Sequence, residues 1–162
     1  MKTIARFITA CNRAIHLAVS WLSLFMVVTT FLVVILRYVF GLGYIWLQEI
    51  VTYSHAILFL SAIAYGLSSN SHVRVDLVYR MLSKKNRALM DVVGTVFFLF
   101  PVAGLILFHS YPYVMSSWAV YEGSKDSGGL NAVFLLKSFL MIFPCLLILQ
   151  GIAQIIEALS SD

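Results

Sequence analysis

The sequence predicts an all-α integral membrane protein of four transmembrane helices, with both ends in the cytoplasm. A short amphipathic helix is expected in the cytoplasmic interface between spans two and three. Three observations carry this reading. Of the 162 residues, 61% are hydrophobic and 11% charged, whereas soluble domains run at about 45–50% apolar and about 25% charged. The apolar residues fall in long uncharged runs, not in the short alternating segments of a membrane barrel. Lysine and arginine gather in the connections that would share one side of the bilayer.

The first run, 14–36, holds no charged residue. Lys2 and Arg6 precede it in the manner of a signal peptide. The run is nevertheless longer than the roughly 7–15 residues of a signal core, and no small-residue cleavage site closes it, so it reads as a span. The second run, 50–73, becomes polar near Ser68, which sets a span at about 48–69. The third lies within 92–121, a stretch longer than the ~20 residues one span needs, and is placed at 89–112. The fourth is uncharged over 138–156 and is placed at 134–157. The chain is therefore read as a single membrane domain, 1–162, with a cytoplasmic loop at 70–88 and a periplasmic loop at 113–133.

Placing the N-terminus inside leaves only Arg37, Lys125 and Lys137, of 11 basic residues, on the outer side. Trp46 and Trp118, with Tyr44, Tyr111, Tyr113 and Tyr121, then fall near the outer boundary, as an aromatic belt should. Ala62 and Gly66 form a small-xxx-small pair that lets a second helix approach. Pro101 and Pro144 each remove a backbone donor and are expected to bend their helices.

Between spans two and three, His72 to Leu82 is the most patterned stretch outside the membrane. Asp76 is placed to cap a short helix, and Leu77, Val78, Met81 and Leu82 share one face at helical spacing. Arg80 and Lys84 point elsewhere, toward anionic lipid. Between spans one and two, Arg37 and Glu49 lie near the outer surface. Two arrangements suit them: an ion pair pinning the first two helices, or both side chains snorkelling to water. The outer segment from Trp118 to Leu130 is polar and glycine-rich, and Gly128-Gly129 permits a turn of positive φ.

Several function classes are excluded by what the sequence lacks. Cys11 and Cys145 make no CxxC motif, so neither a disulfide framework nor a thiol relay is indicated. The net charge of +4, with no basic stripe, does not point to nucleic acid. No metal cluster, phosphate-binding glycine loop or Ser/His/Asp set stands at usable spacing, so no enzyme is expected. The span centres carry only hydroxyls, Thr29, Thr30 and Ser61, where a transport path needs ionisable groups, and no repeat is evident. This points to an accessory or scaffolding subunit. The alternative is a haem-binding anchor of a membrane oxidoreductase, with His55 and His109 toward the outer side or His16 and His72 toward the inner.

The run Arg37-Tyr38-Val39-Phe40-Gly41, followed by Trp46, Glu49 and His72-Val73-Arg74-Val75-Asp76, resembles the small permease (Q) subunit of tripartite ATP-independent periplasmic (TRAP) transporters, the DctQ-like family. Trp118, Glu122, Ser124, Gly128-Gly129-Leu130, Lys137 and Gln150-Gly151 are similar to a subgroup labelled for mannitol or chloroaromatic compounds. The resemblance covers nearly the whole chain. It implies a non-catalytic subunit of the bacterial inner membrane that scaffolds a large permease (M) subunit during sodium-coupled uptake of organic acids. The expected partners are that large subunit, a periplasmic substrate-binding protein and membrane lipids. No cofactor is expected on this chain, sodium being held by the large subunit. On this resemblance Arg37, Trp46 and Glu49 fix the outer helix ends, and His72, Arg74 and Asp76 fix the cytoplasmic turn. The loop bearing Trp118, Glu122, Gly128 and Gly129 faces the periplasm, either as a plain connection or as a contact for the binding protein.

Overall fold

A computed structural model describes residues 2–68 and 83–159. The expected interfacial helix, with His72, Arg74 and Asp76, lies outside the described residues. The described chain is helical, with no strand: α1 (Lys2–Tyr38), α2 (Ile45–Ser68), α3 (Lys84–Gly94), a π-helical turn (Thr95–Leu99), α4 (Phe100–Ala119) and α5 (Val133–Leu159). α3, the π turn and α4 follow one another without a break, so four helices are long and apolar enough to cross a membrane.

The helices outrun the apolar windows. α1 has 37 residues, about 55 Å at 1.5 Å per residue, against a hydrocarbon core of about 30 Å. Its first turns stay helical because they are docked: Ala5 is fully buried, and Asn12 reaches α5. The connection expected at 113–133 is shorter, because the helix continues through Pro112 to Ala119. The connection itself spans residues 120–132.

α5 is the hub. It packs against α1, α2, α3, the π turn and α4, while α1 also packs along α2. The apolar positions buried most deeply are mainly small: Ala5, Ala64, Ala103 and Ala153, with Leu47 and Val114. Small side chains let helices approach closely, the packing mode available where hydrophobic exclusion gives no drive between helices. The large side chains point outward, with Trp21 72% and Phe108 76% exposed. A helical surface this apolar suits lipid or a membrane partner and not water.

The π turn has a local cause. Pro101 offers no N–H and its ring crowds the carbonyl four residues back. The helix widens just before it, and the Phe100 N–H bonds to the Thr95 carbonyl. Gly151 of α5 faces this wide turn. A Cβ on it would stand 2.8 Å from Phe100 Cε1 and 3.0 Å from Thr95 Cγ2. Thr95 is itself buried and returns its hydroxyl to the Asp91 carbonyl.

Candidate functional site

Several polar contacts that link separate elements collect at the end of the bundle carrying the 39–44 and 120–132 connections. α1 ends there as Gly41 takes φ +67 and the Leu42 N–H bonds to the Leu36 carbonyl at 2.8 Å. α2 begins after Tyr44, whose ring sits 6.1 Å from that of Trp46. Glu49, one turn into α2, directs its carboxylate at the 120–132 loop. One oxygen accepts from the Ser124 hydroxyl and the other from the Leu130 N–H at 2.5 Å.

The loop is shaped to present those donors. The Ser124 N–H bonds to the Leu130 carbonyl at 2.9 Å, closing a small ring. Within it, the Ser124 hydroxyl accepts from the Asp126 N–H, and the Gly129 N–H reaches the Asp126 carbonyl. Gly128 turns the chain at φ +84, a conformation that costs a side-chain-bearing residue about 1–2 kcal/mol. Gly129 leaves room for the carboxylate, since a Cβ there would lie 2.8 Å from Glu49 Oε1.

A second tie braces the same loop. The Lys137 ammonium on α5 pairs with the Glu122 carboxylate and lies 3.9 Å from the centre of the Tyr113 ring on α4. The hydrogen bond from Lys137 holds the Glu122 carboxyl below the usual carboxylate range. Trp118 donates to the Ser138 hydroxyl at 2.8 Å and meets Phe134 edge-on at 4.7 Å, with Tyr121 on the same ring at 5.6 Å. α4, the loop, α5 and α2 are thereby joined through polar and aromatic contacts at one end.

Toward the opposite end, α1 is clasped to α5. The Asn12 amide donates to Gln150 Oε1 at 2.8 Å, and Gln150 Nε2 reaches the Thr9 hydroxyl at 3.3 Å. Both amides are buried. His16 stacks on Tyr65 of α2 at 4.3 Å between ring centres. Neither the Asn12–Gln150 clasp nor the Glu122–Lys137 pair was expected from the residues alone.

The expected residues separate into three groups. Glu49, Trp118, Glu122, Gly128 and Gly129 share the braced end. Arg37 and Trp46 stand at that end on exposed faces. The Arg37–Glu49 ion pair is absent among the described residues, because the Glu49 carboxylate is already taken by Ser124 and Leu130. His72, Arg74 and Asp76 lie outside the described residues.

The haem reading finds no support. His55 stacks on Phe59 of its own helix, and His109 bonds to the Leu105 carbonyl of its own helix at 3.0 Å. α2 and α4 each pack on α5, with no comparable packing against each other. Among the described residues no group of three His, Cys, Asp or Glu side chains is placed to hold a metal.

The family model described as tripartite ATP-independent periplasmic transporters, DctQ component, matches residues 26–161. No curated protein and no solved structure matches the chain.

Proposed function

The chain belongs to the DctQ component family of the tripartite ATP-independent periplasmic transporters, and from that premise we propose that it braces a large permease subunit during sodium-coupled uptake of an organic acid. It is a small subunit of such a transporter and a multi-pass membrane protein. One observation carries the proposal: a set of charged and amide side chains joins the elements to one another. Glu49 joins α2 to the 120–132 loop, Lys137 joins α5 to Glu122, and Asn12 joins α1 to α5. A transport path requires ionisable groups facing a common cavity at mid-depth. A brace requires a tied bundle with a large apolar exterior, and such an exterior is present here.

In this reading the membrane is the bacterial inner membrane, and both chain ends lie in the cytoplasm. The excess of Lys and Arg at that side supports the orientation. The braced end then faces the periplasm, where a substrate-binding protein delivers its cargo. The ordered 120–132 loop offers that protein a fixed surface. Sodium and substrate are bound by the large subunit, and this chain holds no cofactor.

The test is co-purification. The tagged chain is expressed with its chromosomal neighbours, solubilised gently and isolated. A larger multi-span permease at equal stoichiometry supports the reading. Isolation of the chain alone under conditions that preserve other membrane complexes overturns it. Reconstitution of the isolated complex with its binding protein, with and without a sodium gradient, tests the coupling.

A further inference from the structure

Between α1 and α2 runs an open groove of about 530 Å³. Four of its lining residues are polar: Ser23 and Thr30 on α1, and Thr52 and His55 on α2. Met26, Val27 and Val51 complete it. His55 lies ten residues, about 15 Å, into α2, well inside the apolar stretch that would meet hydrocarbon. It is exposed, and its ring stacks on Phe59, itself 59% exposed.

The hydrogen-bonding state of these groups defines what suits them. The Ser23 hydroxyl donates to the Ser20 carbonyl at 2.7 Å, and the Thr52 hydroxyl to the Gln48 carbonyl at 3.2 Å. Both protons are used within their own helices, so neither hydroxyl is left as an unmet donor. An imidazole retains at least one N–H donor in any protonation state, and its neutral form also accepts. The Thr30 hydroxyl and the His55 imidazole are left as the lining groups without a hydrogen bond among the described residues. An acyl chain satisfies none of them, and an unmet polar group in an apolar medium costs free energy.

We propose that this groove seats a transmembrane helix of the large permease that carries a hydrogen-bonding side chain opposite His55. The inference rests on the small-subunit reading and adds to it the face that binds and the chemistry that sets register. Val27, 67% exposed at the groove, is the position that such a helix covers. Interhelical hydrogen bonds in membranes are modest, so His55 contributes register and a fraction of affinity while packing of the groove contributes the rest.

The test uses the whole transporter in its membrane. A photocrosslinking amino acid is placed at Val27, and in a second variant at Phe108, which is 76% exposed on α4. The expected result is a Val27 adduct with the large permease. Alongside it, His55→Leu lowers the large subunit recovered with the tagged chain about threefold to tenfold, while the thermal midpoint of the isolated chain stays unchanged. A large subunit that co-purifies but crosslinks from Phe108 and not from Val27 overturns the proposal and leaves the small-subunit reading intact. So does a Val27 adduct consisting only of lipid or of a second copy of this chain. An unchanged yield for His55→Leu overturns the hydrogen-bonding role. Absence of any large subunit from the preparation overturns both readings.

Discussion

The Glu49 carboxylate accepts the Leu130 backbone N–H at 2.5 Å across 81 positions of sequence, and its other oxygen accepts the Ser124 hydroxyl. This one side chain holds the second helix to the loop between the last two. Glu49→Gln keeps the shape but loses the charge that strengthens both bonds. The thermal midpoint in detergent is expected to fall by a few degrees, and backbone hydrogen exchange at Leu130 to rise. Exchange at Leu130 equal to that of the parent would show that the loop holds its form without Glu49.

The Glu122–Lys137 pair makes a prediction about acid. The Glu122 carboxyl sits below its unfolded value of 4.5 because Lys137 donates to it. A depressed carboxyl contributes stability that is complete above the unfolded value and is lost as the pH falls through the folded one. The thermal midpoint of the parent should therefore decline below about pH 4.5 more steeply than that of Glu122→Gln, whose side chain does not titrate. Parallel curves for the two proteins would remove the pair from the account.

Gly151 tests the packing of α5 on the π turn. Gly151→Ala places a methyl 2.8 Å from Phe100 and 3.2 Å from Leu99. Overpacking of this kind costs about 1–3 kcal/mol. The expected readout is an earlier unfolding midpoint, and Gly151→Val should be worse than Gly151→Ala. A neutral Gly151→Ala would mean that the wide turn yields to a methyl without loss.

Asn12 and Gln150 form a buried pair at 2.8 Å. Asn12→Leu strands the Gln150 carbonyl, and Gln150→Leu strands the Asn12 amide. Each is expected to destabilise by about 1–2 kcal/mol. The double variant should recover part of that loss, since it leaves neither partner stranded. Additive single losses in a double-mutant cycle would show that the pair is not coupled.

Gly128 turns the loop at φ +84. Gly128→Ala should cost about 1–2 kcal/mol through the left-handed conformation alone, with little change at α1. A heteronuclear or exchange measurement that found the disturbance at α1 rather than at 120–132 would contradict this.

Four spans were legible in the sequence because each needs about twenty apolar residues, a constraint that composition exposes directly. Helix ends were less legible. The polar start of α1 and the stretch from Tyr113 to Ala119 are helical because neighbours hold them, and hydropathy carries no record of neighbours. The same limit governs the site. Glu49 stood out as an ionisable group near a span end, but its nearest complementary charge in sequence, Arg37, is not its partner. The partners lie 75 and 81 positions away, and neither Ser124 nor Leu130 carries a charge to draw notice. Gln150 and Gly151 stand out in the sequence only through family likeness and Lys137 otherwise only as an outer-side charge, and their work as a buried clasp, a cleft for the π turn and an ion-pair donor appears only in three dimensions.

The placement of α5 against every other element also fixes an order of events. The ribosome delivers α5 after the helices it joins, so α1 with α2 and α3 with α4 enter the bilayer before their common neighbour exists. During that interval the Asn12 amide is without Gln150, the α5 side chain that satisfies it. Until α5 is inserted, that amide is open to insertase or chaperone contacts, and a nascent chain stalled before Val133 is the form that quality-control proteases should recognise first.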